Sequence, residues 1–466
     1  MLKLLAKGRT QSPVLRNSLT STRVSRTLGM APANARSNSS LPKGYVEDLS
    51  KGPICSIPQI STPLLTSSEL QTTTKAVQEF IKPGGIGSKL QEKLIARRED
   101  PKHKNWMYEW WNDAAYLSYR DPVVPYVSYF YSHRDDRRRR DPSKRAAAIS
   151  TAVLEFKKQV DSGTLEPEYM KKLPISMESY QMDVQPHLRE GESTPAVGIL
   201  TSENRDIWTD AREVLLKANP SNAKILKDIE SASFVVCLDD AAPVTLEERA
   251  HQYWHDFNEV IAAHELRVQA YQGYGKGLIK KFKCSPDAYN RPTYESAATR
   301  RFQQGRTETC RSVSDDSVAF CKAISDHTVE PAKAIAAFRA AINSHVEYIS
   351  AASDGKGVDR HLFGLKKLLE PGEELPAIYK DPTYGYSSKW FISSSQLSSE
   401  YFNGYGWSQV VDDGWGIAYM INENSIQFNV VSKGLGSERM SFYLNEAAGD
   451  IRDLLIPTLE TAKAKL

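Results

Sequence analysis

The block Thr293-Tyr294-Glu295-Ser296-Ala297-Ala298-Thr299-Arg300-Arg301-Phe302-Gln303-Gln304-Gly305-Arg306-Thr307-Glu308-Thr309 gathers hydroxyls, carboxylates and arginines around one glycine. No apolar core requires such a set. Just upstream, Lys276, Lys280, Lys281 and Lys283 precede the turn-forming Ser285-Pro286-Asp287. Lysines on flexible stems suit phosphate and pyrophosphate groups, where a point charge is enough. A solvated basic helix end would carry the same residues. His251 and His255 stand at i,i+4, a spacing that holds a metal on a helix, but no third ligand lies nearby.

These groups need a scaffold. Residues 67–82 read as a polar helix that stops before Pro83-Gly84-Gly85. The aromatic block at 105–117, with Trp106, Trp110 and Trp111 at helical spacing, reads as core. A helix is expected over 144–160 after the mixed charge run at 134–141, whose interleaved aspartates mark a solvated loop. Ser233-Phe234-Val235-Val236-Cys237-Leu238 and Ile426-Gln427-Phe428-Asn429-Val430 read as strands, the second half-buried by its alternation. Between them, residues 331–350 place Ile335, Phe338, Ile342 and Ile349 on one helical face, with His345 beside it as a packing histidine. Glycine- and tryptophan-rich residues 401–419 read as strands joined by tight loops. The class is mixed α/β.

A chain of 466 residues exceeds one core, so two domains or one two-lobed body are expected. A net charge of +3 is too small to imply nucleic acid, and a binder built on Arg137, Arg138, Arg139 and Arg140 is the weakest rival. Mean hydropathy is −0.47, and no apolar run reaches the ~18 residues of a spanning helix. Only peripheral membrane contact is left open. Five scattered cysteines without C-x-x-C spacing imply reduced thiols rather than a disulfide framework or a zinc site. Residues 1–44 are rich in Arg, Ser and Leu and free of acids, the composition of a mitochondrial presequence or a disordered basic tail. The terminal Ala464-Lys465-Leu466 is a near variant of the peroxisomal S-K-L address.

Several motifs in fixed order resemble the choline/carnitine acyltransferase family, nearest its carnitine acetyltransferase branch. K-x-x-x-K ending in S-P-D-A is followed by T-Y-E-S, G-R-T-E-T, Asp359-Arg360-His361-Leu362-Phe363-Gly364-Leu365 and Ser393-Ser394-Ser395-Gln396. The resemblance implies that Lys276, Lys280, Asp287 and Gln396 contact CoA. It implies that Tyr294, Ser296, Thr307 and Arg360 bind the carnitine carboxylate, for which a guanidinium fork is well suited. Ser395 would donate to the oxyanion. The implied fold is α/β with two lobes related to chloramphenicol acetyltransferase, each a mixed sheet covered by helices, meeting at a tunnel. The expected division is a tail at 1–44, an incomplete first lobe at 45–256 and a second lobe at 257–466. The implied reaction is reversible short-chain acyl transfer between CoA and carnitine, with no metal.

The departures are as informative. The family's E-H-x-x-x-[DE]-G block, whose histidine is the general base, is missing from the region after Val244. His255 has Glu259 at the right offset, but Trp254 before it and Val260 after it do not fit. The joins after Gln181 and after Tyr289 are also short. The expectation is a weakly active or inactive member of the family; the alternatives are a non-catalytic isoform that binds CoA and carnitine, or the product of a truncated gene model.

Overall fold

The computed structural model describes residues 41–49, 57–62, 65–117, 129–170, 172–178, 205–230, 261–286, 294–397 and 401–463, with residues 52, 54, 234, 236, 238 and 399. Asp287, His251, His255 and the two terminal addresses lie outside them. In chain order the elements are α1 (Ser67–Phe80), α2 (Ile86–Glu99), α3 (Tyr108–Asn112), β1 (Phe130–His133), α4 (Pro142–Asp161), β2 (Tyr169–Met170), β3 (Leu173–Pro174), α5 (Arg205–Ala218) and α6 (Asn222–Glu230). Then come β4 (Glu265–Tyr271), α7 (Lys276–Lys281), β5 (Tyr294–Ala298), β6 (Thr307–Arg311), α8 (Asp315–Ser325), α9 (Pro331–Ser353) and α10 (Val358–Lys367). The chain closes with β7 (Ile392–Gln396), β8 (Phe402–Gly406), β9 (Trp415–Ile421), β10 (Ile426–Ser432) and α11 (Ser437–Lys463).

Helix ends follow local chemistry. At α1, Thr66 accepts the Glu69 amide while the Glu69 carboxylate takes the Thr66 amide at 2.8 Å, a reciprocal cap. The helix ends at Ile81, ahead of Pro83. Asp141 caps α4 by accepting the Lys144 amide at 3.0 Å, with Pro142 opening the first turn. The 331–350 helix is nearly one turn longer than expected, ending at Ser353. The charge run is an exposed loop whose Asp136 pairs with Arg139 and Arg145.

The described residues fall into two compact units. One draws on Asp136–Glu166 and Gln181–Ala262, the other on Asn38–Asp135, Pro167–Tyr180 and Ala263–Leu466. The first unit contains α4, α5 and α6. The side chain of Asn222 bonds the Leu215 carbonyl at 2.8 Å, and Leu215 and Leu226 are buried.

The second unit contains a six-stranded mixed sheet in the order β4-β10-β9-β7-β5-β6. The β9/β7 and β7/β5 pairs are parallel, and the others antiparallel. Residues Phe338 and Ile342 of α9 and Leu455 of α11 pack with Ile417, Tyr419 and Phe428 of the sheet. Each such side chain withdrawn from water contributes about 1.5–3 kcal/mol. A second core joins Phe80, Leu90, Leu94 and Trp106 to Leu362 and Leu365 of α10.

Two strand expectations need correction. The alternation in 426–430 pointed to a half-buried strand, but β10 lies between two neighbours and is buried on both faces. Its polar Asn429 is accommodated because its amide donates to the Tyr405 carbonyl. In the 233–238 run, Phe234, Val236 and Leu238 are described and lie in no strand. An apolar run forms a strand only where an adjacent edge takes its backbone groups. No helix among the described residues is long and apolar enough to cross a membrane.

Candidate functional site

The hydroxyl-, acid- and arginine-rich block is a β-hairpin. Strands β5 and β6 pair from Tyr294 with Arg311 to Ala298 with Thr307. The Thr299 amide bonds the Arg306 carbonyl at 3.0 Å and closes the loop. A Cβ at Gly305 would stand 2.0 Å from the Thr299 carbonyl oxygen, so this approach requires glycine. Two of the arginines fasten the loop. Arg300 donates to the Ser176 carbonyl at 3.0 and 2.8 Å and pairs with Glu168 at 2.7 Å, and Arg301 pairs with Asp354.

Strand β7 lies beside β5 with Tyr294 opposite Ser393. Side chains alternate along a strand, so Tyr294, Ser296, Ser393 and Ser395 share one face of the sheet. Gly416 and Ala418 of β9 lie opposite Ser393 and Ser395, and there the Ser408 backbone approaches Gly416 while Tyr405 and Trp407 pack with Ala418. Gln396 falls on the opposite face, level with Tyr419. Tyr294 is buried, stacks on Trp390 at 5.8 Å between centroids, and donates its hydroxyl to the Ser387 carbonyl. The Tyr405 hydroxyl donates to the Ser395 carbonyl at 2.5 Å. Burial pushes both phenols above their ordinary range and keeps them neutral donors. Ser296 is exposed and Thr307 half-buried.

Arg360 comes from the first turn of α10 and is buried. Its Nε donates to the Thr307 carbonyl at 2.9 Å, its Nη1 reaches Thr309 Oγ1 at 3.4 Å, and its guanidinium lies 3.6 Å from the Trp111 ring centroid. Stacking of this kind suits Arg because the guanidinium is planar and weakly hydrated. Beside it, Asp359 holds Arg311 in a two-pronged pair at 2.8 and 3.0 Å. Burial opposes the Arg311 charge, but Asp359 outweighs it and raises the guanidinium pKa. Burial also pushes Glu308 up to about 7, with Arg360 opposing and Asp359 adding to the shift.

Lys276 and Lys280 lie apart from this group. They sit on α7 at the β9–β10 turn, where the Lys276 and Gly277 amides bond the Asn422 and Glu423 carbonyls at 2.8 and 3.1 Å. Lys276 pairs with Glu423 at 3.8 Å, and Lys280 is exposed. No described hydrogen bond joins either lysine to the residues of β5, β6 or β7. Among the described residues no group of three metal-ligating side chains is present.

The register therefore brings together Tyr294, Ser296, Thr307, Arg360 and Ser395, all from the expected set. Glu308 and Trp111 belong beside them and were not singled out. Glu308 had a signal, because strand alternation turns a carboxylate to the face opposite Thr307 and Thr309, level with Ala297, where it needs a partner. Trp111 had a weaker one, since aromatic stripes are usually core. On the other face of the sheet a cavity of about 540 Å³ is lined by side chains including Phe338, Ile342, His345, Ile417 and Phe428. None of the expected site residues lines it.

The family model of the Choline/Carnitine o-acyltransferases matches residues 58–185, 182–256 and 243–446. Its two joins fall at 182–185 and 243–256, where the chain was read as shortened. The mitochondrial carnitine O-acetyltransferase of Saccharomyces cerevisiae is 30% identical over 547 aligned positions, covering 79% of this chain and 81% of the relative. Since 79% of 466 is about 368 residues, about 180 aligned positions carry no residue of this chain. The carnitine O-acetyltransferase of Rattus norvegicus is 25% identical over 84% of this chain and 90% of its own. The choline O-acetyltransferase of Homo sapiens is 26% identical over 98% of this chain and 84% of its own. Matched over most of its length, with the motif residues in register on one hairpin and its neighbours, the chain belongs to the choline/carnitine acyltransferase family.

Proposed function

We propose that this chain is built on the carnitine acetyltransferase plan, with carnitine held by its carboxylate at Arg360, Tyr294, Ser296 and Thr307. Coenzyme A is held along Lys276, Lys280, Asp287 and Gln396, and Ser395 donates to the oxyanion of acyl transfer. The observation that carries this reading is the bond from Arg360 to the Thr307 carbonyl, which sets the motif arginine against the hairpin that bears the motif hydroxyls. In the reaction the carnitine hydroxyl attacks the thioester carbonyl, its proton passes to a base, and the CoA thiol leaves. The family's histidine base has no counterpart in this sequence, so turnover is expected to fall about 10²–10⁴-fold below that of a full-length relative. The acid-poor, arginine-rich composition of residues 1–44 supports delivery to mitochondria, and the final tripeptide supports a second, peroxisomal address.

The test is acetyl-CoA consumption with carnitine, followed as released thiol, beside calorimetric titration of each ligand alone. Binding of both with little thiol release is the expected result. Turnover comparable with a full-length carnitine acetyltransferase would overturn the loss of the base, and binding of neither ligand would overturn the assignment. The non-catalytic isoform is favoured over an active enzyme by the position of the second family-model join, residues 243–256, in the stretch where the histidine block is missing.

A further inference from the structure

Glu308 is almost wholly buried in the middle of β6, between the two threonines that hold Arg360. Its carboxylate accepts the Thr309 amide at 2.8 Å and the Arg360 amide at 3.2 and 3.3 Å. Arg360 is the third residue of α10, so its amide is one of the first-turn donors that no helical carbonyl reaches. Gly357, at the N-cap, makes no side-chain cap bond. A Cβ there would stand 2.2 Å from Glu308 Cγ, so the glycine makes room for the carboxylate. The strand thus caps the helix through Glu308, and the helix returns Arg360 to the same strand at Thr307 and Thr309.

We propose that Glu308 is a positioning residue for carboxylate recognition: by capping α10 from β6 it fixes how Arg360 is presented, and its own charge competes with an incoming carboxylate. The proposal rests on the carboxylate-binding role of Arg360 given above. The groups that bear on Glu308 are Arg360 and Asp359 from α10 and Tyr348 from α9, and Tyr348 in turn is acted on by Arg311 and by Cys310, which faces His345 of α9. Asp359 is already paired with Arg311, which leaves Glu308 as the acid beside Arg360. A substrate carboxylate arriving at Arg360 adds a negative charge there and draws a proton onto Glu308. Carnitine affinity is therefore expected to fall as pH rises above about 7.

The experiment is calorimetric titration of the chain with carnitine, and separately with CoA, at about pH 6.5 and about pH 8.5, for the parent, Glu308→Gln and Glu308→Ala. Glu308→Gln keeps an acceptor for the Arg360 amide without the charge, and is expected to lose the pH dependence. Glu308→Ala is expected to weaken carnitine about tenfold at the lower pH while CoA affinity stays within about twofold. Unchanged carnitine binding in Glu308→Ala, or a pH dependence that survives in Glu308→Gln, overturns the proposal. If the parent binds neither ligand, the functional reading fails, and hydrogen exchange at the Arg360 amide decides the capping by itself. Protection lost in Glu308→Ala and kept in Glu308→Gln supports it, whereas equal protection in all three chains refutes it.

Discussion

Helices α4 and α9 are both long, both open on proline, and have opposite fates. In α9, Phe338 is 2% exposed and Ile342 lies beside it against the sheet. In α4, Val153, Leu154 and Phe156 are 41%, 53% and 41% exposed, and only Val160 is buried. The difference is not in helix-forming chemistry, since α4 has the better cap, with Asp141 accepting the Lys144 amide. It lies in what the helix packs on. Most helical stability in a folded protein comes from covering an apolar face rather than from propensity. The unit with the six-stranded sheet supplies that surface to α9. Within the other unit, the described residues supply α4 with far less. The joins of the family match fall at 182–185 and 243–256, both within the Gln181–Ala262 stretch assigned to the unit that contains α4.

The sharpest way to break this comparison is to truncate each helix at its apolar face. Phe338→Ala is expected to cost about 3–5 kcal/mol in denaturant unfolding, whereas Leu154→Ala is expected to stay within about 0.5 kcal/mol, as exposed positions do. Equal costs would mean that α4 is as well packed as α9. Arg360→Ala removes the partner of a buried acid and is expected to cost about 3–5 kcal/mol by the same measurement. A loss under about 1 kcal/mol would show that Glu308 has no need of it.

Acid and base titrations probe the better-packed unit alone. Glu308 is raised from 4.5 to about 7 by burial. Its contribution is present below pH 4.5 and is lost as pH rises through about 7. His361 is lowered from 6.5 to about 4 by burial, with its Nε2 2.7 Å from Gln91 Oε1. Its contribution is present above pH 6.5 and is lost as pH falls through about 4. Each shift corresponds to about 3 kcal/mol of opposite slope, so the parent should be nearly flat between about pH 5 and 6.5 with respect to these two groups. Glu308→Gln is expected to expose the acid-side loss of His361, and His361→Gln the base-side loss of Glu308. Stability curves of unchanged slope in both variants would refute the burial of the pair. A modest effect is expected at the α4 cap, where Asp141→Ala should lower helix content and stability by about 1 kcal/mol. Circular dichroism with thermal melting would detect it, and no change would mean that α4 contributes nothing to the unfolding transition.

Much of this was legible from local chemistry. The polar helix that stops before Pro83 and the helix that opens at Pro331 both follow from residue types at short spacing. The order of the motifs grouped Tyr294, Ser296, Thr307, Arg360 and Ser395 together, and the structure sets them on one hairpin, β7 and the first turn of α10. Other features were invisible at that range. Strand β10 alternates in sequence yet is buried on both faces, because β9 and β4 flank it. Trp111 looks like core, and only the approach of α10 makes it a platform for a guanidinium.

The sequence by itself determined the family and most of the helices, because these depend on side-chain chemistry and on spacings of a few residues. The tertiary structure decided which of those residues meet. It set Arg360 on the backbone of Thr307, made Glu308 the cap of a helix about fifty residues further along, and put Ser395 and Gln396 on opposite faces of the sheet. Those outcomes depend on strand register and burial, and both are properties of partners distant in the chain.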